Sequence, residues 1–342
     1  MNNIVVVTGA SGFIGSHIVS NLLLKGRNVR ATVRDLNDLS RVSHLRKLPI
    51  NDNGSLVIIE MDLFDTNSVD DAIDGAIDVI HTAAAVIIRS KNPQQDIVDP
   101  SIIGTQNVLN AIERSGSVKN FVHTSSTAAI RPASWANGEI LTSETYADDA
   151  KITTNPYGLA KYGAEMLVRD WYNNMNPELR PRMITIHPCM VFGPPLSSRH
   201  LHGSLAIFMM LVKRKLPFLL PMQISIVDVR DVAEIHVLAL KNGKDGGRYL
   251  TVAGEMMMAE MADVLRESYP TRKWPKLVLP YKIAIIISAL HPKVSISWAR
   301  THLKNKLYWN SEPALRDFKI IWRNPKDTIT DTIPNIINNN WD

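Results

Sequence analysis

Apolar positions in the first half of the chain fall into short runs separated by stretches with helical spacing. Ile4-Val5-Val6-Val7 is a β-branched run of the kind found in strands buried on both faces. After a small-residue turn, Ile14, Ile18 and Leu22 recur at the spacing of one helical face. The alternation continues, with strands expected at 4–8, 28–33, 56–60, 78–82, 120–125 and 183–188. Helices are expected between them, including 13–25, 67–74, 100–115 and 156–176. Strands alternating with helices argue for βαβ units and an α/β fold with a parallel sheet. Pro188 and Gly193-Pro194-Pro195 mark a change of regime, beyond which clean alternation is lost. The last 20 residues, polar and carrying prolines and asparagines, are expected to pack loosely.

Between the first strand and the first helix lies Thr8-Gly9-Ala10-Ser11-Gly12-Phe13-Ile14-Gly15. A glycine loop in this position supplies a tight turn, close backbone approach to a pyrophosphate, and close helix–strand contact. The phosphates would face unpaired N–H groups at the helix start. The expected architecture is therefore a Rossmann-type doubly wound sheet with a smaller carboxy-terminal substrate lobe. Residues 1–190 would form the dinucleotide half and 191–342 mainly the lobe, with 224–240 returning to the first domain. Past the second strand stand Arg34 and Asp35, with Arg41 one helical stretch later. An acid there favours a free ribose 2′-hydroxyl and an arginine a 2′-phosphate, which guanidinium binds bidentately. Arg34 and Arg41 favour NADP(H); the other reading is that Asp35 holds the ribose of NAD(H).

Tyr157 and Lys161 are four residues apart and share a helical face. A free phenol has a pKa of about 10, and a neighbouring positive charge lowers it, which makes the pair a tunable acid/base. The same spacing also suits a tyrosine edge beside a solvated lysine. The Ser125-Ser126-Thr127 run puts Ser126 31 residues before the tyrosine. Reduction of a carbonyl needs a hydrogen-bond donor and a proton source at the oxygen, which Ser126 and Tyr157 supply. A metal is not required.

The 342 residues suffice for a large core, and the net charge of +5 comes without a dense basic block interleaved with aromatics. Nucleic-acid binding therefore has little support, whereas an anionic dinucleotide is compatible. Cys189 is the single cysteine, so no internal disulfide or cysteine metal site is expected. A first strand by residue 4 leaves no room for a signal peptide, and a cytoplasmic location is the expectation. The apolar run 283–290 is too short to span a bilayer and is expected to be a buried helix of the lobe rather than a membrane patch.

Taken together, the motifs over residues 4–240 resemble the extended short-chain dehydrogenase/reductase family. The branch they look most like holds dihydroflavonol reductases, cinnamoyl-CoA reductases and 3β-hydroxysteroid dehydrogenases. Besides the glycine loop and Tyr157-x-x-x-Lys161, the resemblance rests on Val29–Asp35, Asp62-Leu63, His81-Thr-Ala-Ala-Ala85, Asp99–Val108, Thr124–Ser126, His187–Pro194 and Val227–Ala233. It implies that Tyr157 exchanges the proton, that Lys161 binds the nicotinamide ribose and lowers the tyrosine pKa, and that Ser126 holds the substrate carbonyl. Thr127 is the neighbour that could substitute for Ser126. Gly9, Ser11, Gly12, Phe13, Ile14 and Gly15 would face the pyrophosphate, with Asp62 and Leu63 at the adenine edge. Ala83, Ala84, Ala85, Thr124, Pro188 and Val191 would stand on the nicotinamide side. Asn107 would support the Tyr–Lys region through water, or make an ordinary helix contact. His187, where relatives carry arginine or asparagine, is read as a packed histidine.

Specificity is assigned to loops 86–97, 131–150 and 195–222. Their apolar residues Ile87, Ile88, Trp135, Leu201, Phe208, Met209, Phe218 and Leu219 suit either an apolar substrate or a lobe core. The expected activity is NADP(H)-dependent carbonyl reduction or alcohol oxidation on a small, mostly apolar molecule, by a monomer or homodimer. The alternatives are an NAD-dependent nucleotide-sugar epimerase or dehydratase, and a non-catalytic dinucleotide sensor.

Overall fold

The structure is a computed structural model that describes residues 3–83, 90–213, 215, 217–290, 296–303 and 305–341. The chain begins β1 (Ile4–Thr8), α1 (Phe13–Leu24), β2 (Asn28–Val33), α2 (Leu39–Arg46), β3 (Ser55–Glu60), α3 (Thr66–Ile73), β4 (Asp78–His81). A helical turn, Gln94–Val98, runs into α4 (Asp99–Ser115), followed by β5 (Asn120–Thr124), β6 (Glu139–Leu141), α5 (Pro156–Asn174) and β7 (Arg182–Pro188). Next come β8 (Met190–Phe192), α6 (Ser204–Val212), β9 (Gln223–Asp228), α7 (Val229–Ala239), β10 (Gly247–Thr251) and β11 (Gly254–Met257). The chain ends with α8 (Met258–Ser268), α9 (Tyr281–Leu290), α10 (Ile296–His302), β12 (Leu307–Trp309), α11 (Glu312–Phe318) and α12 (Pro325–Asn338).

The central sheet has seven parallel strands in the order β10-β7-β5-β4-β1-β2-β3. Side chains alternate across a strand, and β1 shows it directly. Val5 and Val7 join α1 and α7 in one buried layer, whereas Val6 joins α3, α4 and α5 in the layer on the opposite face. The seventh strand, β10, comes from beyond the two stretches expected to build the sheet. Within 224–240, β9 pairs with β8 and β11 in a separate three-stranded sheet, while α7 packs along α1.

Two expectations about the carboxy-terminal part need correction. The last residues are not loosely packed: α12 buries Ile329, Ile333 and Ile336 completely in the lobe core with Phe208, Met261 and Leu265. Its isoleucines recur at helical spacing, so a polar composition hid an amphipathic helix. The run 283–290 is helical, but it buries one side only, with Ala284 and Ser288 inside and Ile283 and Ile286 exposed. Among the described residues no helix is long and apolar enough to cross a membrane.

Candidate active site

From β1 the chain proceeds outward through β2 and β3, and from β4 it proceeds the other way through β5 and β7. The reversal leaves a crevice at the carboxyl ends of β1 and β4, where open α/β sheets bind ligands. Its floor admits no extra atoms. Gly9 has a φ of +66°, and a Cβ there would lie 2.8 Å from the Ala83 Cα. A Cβ on Gly15 would lie 2.3 Å from the Gly9 carbonyl oxygen. The Thr8 hydroxyl meets His81 Nδ1 at 2.7 Å and accepts from the N–H groups of Thr82 at 3.1 Å and Ala83 at 3.2 Å. One side chain thus locks the two strand ends together at the switch point. Gly12 begins α1 with no side-chain cap, which leaves the first-turn N–H groups free to face an anion. A cavity of about 410 Å³ opens over this cradle. A shape cleared of Cβ atoms at the start of a helix fits the pyrophosphate of a dinucleotide.

At one end of the cavity stand Ser126, Tyr157 and Lys161. Asn155 caps α5 by accepting from the Gly158 N–H at 3.0 Å, and Pro156 occupies the first helical turn, where its missing N–H costs nothing. The next residues therefore sit at the mouth of the cleft. The Lys161 ammonium is buried and donates to the Thr124 carbonyl at 3.2 Å. Burial lowers its pKa to about 8. Burial also raises the Tyr157 phenol above its usual value, and a hydrogen bond with Ser126 is the influence that opposes it. The net lowering of the tyrosine expected from Lys161 is thus not found; the ammonium is turned to the Thr124 carbonyl. Thr127 donates to the Pro188 carbonyl at 3.3 Å, as Ser126 does at 3.5 Å, but of the two only Ser126 lines the cavity.

Behind this end lies a buried polar network. Glu165 accepts from Ser125 Oγ at 3.0 Å and from Arg248 Nε at 2.6 Å. Arg248 also donates to the carbonyls of Ser143 and Thr145 and lies over the Tyr146 ring. His187, fully buried, meets Thr185 Oγ1 at 3.1 Å and the Ser126 carbonyl at 3.3 Å. Burial lowers its pKa to about 4. It is a packed, hydrogen-bonded histidine, as read from the sequence. Cys189 lines the cleft, and burial pushes its thiol well above its usual value.

The opposite end of the cavity is lined by Thr32, Val33, Arg34, Arg41, Met61, Leu63 and Phe64. Asp35 does not line it; its carboxylate accepts from the Asn37 N–H at 2.8 Å. Asp62 is also absent from the lining, because its carboxylate accepts from the Phe64 N–H at 3.0 Å and closes its own turn. Asn107 donates to the Leu63 carbonyl at 2.7 Å and so supports this end rather than the Tyr–Lys region.

The remaining expected residues Gly9, Ser11, Gly12, Phe13, Ile14, Gly15, Ala83, Thr124, Pro188 and Val191 all line the cavity. Ala84, Ala85, Ile87 and Ile88 lie outside the described residues. The other apolar residues named for substrate do not reach the cleft. Phe208, Met209 and Leu219 are buried in the lobe core, Leu201 and Phe218 pack against it, and Trp135 belongs to a second cluster with Leu141 and Leu307. The lobe instead contributes Arg199, His200, His202, Gly203 and Ser204, which sequence spacing did not single out. His200 Nε2 reaches the Ser11 carbonyl at 3.2 Å, tying this segment to the glycine loop.

The model of the 3-beta hydroxysteroid dehydrogenase/isomerase family matches residues 6–264. The chain is 35% identical over 285 residues to a cinnamoyl-CoA reductase of Medicago truncatula, covering 81% of this chain and 84% of that one. It is 30% identical over 303 residues to a dihydroflavonol 4-reductase of Gerbera hybrida, covering 86% and 78%. Among solved structures it is similar to Gre2 of Candida albicans in complex with NADPH, with a TM-score of 0.79, 26% identity and 98% of each chain covered.

Proposed function

The chain belongs to the 3-beta hydroxysteroid dehydrogenase/isomerase family of extended short-chain dehydrogenases/reductases and is an NAD(P)-dependent oxidoreductase, and from that premise we propose that it reduces a neutral, mostly apolar ketone or aldehyde with NADPH. The observation that carries this reading is the polarity of one cavity: Ser126, Tyr157 and Lys161 at one end, Arg34 and Arg41 at the other. Around the tyrosine, Lys161 is the one charged lining residue among those described, and Ala83, Pro100, Pro188, Cys189 and Val191 supply apolar surface. A neutral carbonyl compound suits such a lining, since a second charge would be desolvated without a partner.

The cofactor would lie with its pyrophosphate over Gly9, Gly12 and Gly15, its 2′-phosphate at Arg34 and Arg41, and its nicotinamide toward Pro188 and Val191. When bound it supplies the hydride that the carbonyl carbon accepts. The protein does the rest at the oxygen. Ser126 donates a hydrogen bond to it and Tyr157 gives up its phenolic proton as negative charge grows there. Lys161 stays protonated at neutral pH, and its charge favours the phenolate left behind. Solvent then returns the proton to Tyr157. The similar Gre2 structure, solved with NADPH, supports the choice of cofactor, as does the absence of Asp35 from the cavity lining that Arg34 and Arg41 share.

The test is a thermal-shift comparison of NADPH with NADH, followed by NADPH oxidation against a panel of aryl, aliphatic and polycyclic carbonyl compounds. A larger shift with NADPH and turnover of neutral carbonyls is expected. Tighter binding of NADH, or NADH retained through gel filtration, would contradict the reading.

A further inference from the structure

We propose that Arg199, carried by the carboxy-terminal lobe, is a third ligand for the ribose 2′-phosphate and a determinant of cofactor choice. The inference rests on the reading of Arg34 and Arg41 given above and adds a residue from the other side of the cleft. Arg199 sits in a short helical turn, Ser198–His200, between β8 and α6. Its guanidinium crosses to the start of α2, donating to Ser40 Oγ at 3.0 Å and standing 3.6 Å from Asp38. The same Asp38 carboxylate accepts from Arg41 Nε at 2.9 Å. One acid therefore holds two arginines side by side, both lining the cavity together with Arg34.

Three guanidiniums line this end of the cavity, and they are not all paired. Arg34 has no acid within ion-pair distance among the described residues, and it lines the cavity with its guanidinium unpaired. Arg41 and Arg199 share one carboxylate, Asp38, which itself caps α2 through the Ser40 N–H at 3.0 Å. A phosphomonoester dianion offers three acceptor oxygens, which suits several planar donors arriving from different directions. Arg199 has 40% of its side chain exposed, so it is free to turn from Ser40 toward a phosphate without leaving a buried site. His200, the next residue, already anchors the turn to the glycine loop through Ser11. The lobe segment thus spans the cavity from the pyrophosphate cradle to the 2′ end.

The experiment is calorimetric titration of the full chain with 2′,5′-ADP and with 5′-AMP, which differ in the 2′-phosphate alone. Wild type is compared with Arg199→Gln, Arg199→Lys and Arg34→Gln. The expected result is that Arg199→Gln weakens 2′,5′-ADP about tenfold, in line with loss of one exposed charge-assisted contact. The same variant should change 5′-AMP by less than about twofold, and Arg199→Lys should recover part of the loss because it keeps the charge. An equal weakening of both nucleotides would overturn the proposal, since it would mean that Arg199 only packs the segment. Loss of 2′,5′-ADP binding in Arg34→Gln with none in Arg199→Gln would also overturn it while leaving NADPH use intact. Wild type binding the two nucleotides alike would remove the NADPH reading itself, and Arg199 with it.

Discussion

The Lys161 ammonium donates to the carbonyl oxygen of Thr124 at 3.2 Å, so the lysine is held by the strand that ends beside Ser126. Burial lowers its pKa to about 8. The lysine is charged below that value and loses its proton as pH rises through it. The phenol, raised by burial, titrates later. The kcat/KM for NADPH, which reports groups of the free enzyme, should therefore fall on the alkaline side with a midpoint near 8, not at the phenol's higher value. A pH–rate profile that stays level to pH 10 would remove the role given to the lysine charge.

Glu165 and Arg248 form a buried ion pair, with side-chain exposures of 0% and 5%. Removing one partner leaves the other charge uncompensated. Arg248→Met should destabilise the fold by about 3–5 kcal/mol, and the double variant with Glu165→Gln should recover part of it. Urea unfolding of the three proteins measures this; equal stability of wild type and Arg248→Met would contradict the burial argument.

Acid should unfold the protein through its histidines. Burial lowers His17, His44, His187 and His236 to about 4 and His81 and His200 to about 3. The folded pKa values lie below the unfolded value of 6.5, so between these limits the unfolded chain binds more protons. The stability is fully present above 6.5 and is lost as pH falls toward 4. The Tm should drop by about 10 °C or more between pH 7 and pH 5. A Tm that does not change over that range would show that these rings are solvated.

Gly15→Ala should abolish dinucleotide binding and lower the Tm, because the added Cβ would lie 2.3 Å from the Gly9 carbonyl. The neighbour is a backbone carbonyl that already accepts from the Gly12 N–H at 2.9 Å, so it cannot shift without opening that turn. Titration with NADPH checks it, and unaltered affinity would mean the cradle is looser than drawn.

What could be read from the sequence was what depends on local spacing. Short apolar runs marked every strand of the central sheet except β10, the glycine loop marked the switch point, and the four-residue offset put Tyr157 and Lys161 on one face. Contacts between distant segments were not legible. Arg199 meets Ser40 across 159 residues, and no periodicity announces that approach. Asp62 sits in a motif that names an adenine contact, yet its carboxylate closes its own turn, a choice made by the Phe64 amide. Phe208 and Met209 belong to a run that reads equally as substrate pocket or core, and burial alone separates the two.

The central claim is that Tyr157 is the proton donor of a carbonyl reductase. The most direct measurement is NADPH oxidation by Tyr157→Phe on the best carbonyl substrate, with cofactor binding followed in parallel by thermal shift. The substitution removes one hydroxyl and keeps the ring. The account predicts a fall in kcat/KM of about 100-fold or more, with the NADPH-induced shift unchanged. Full turnover by Tyr157→Phe would contradict it.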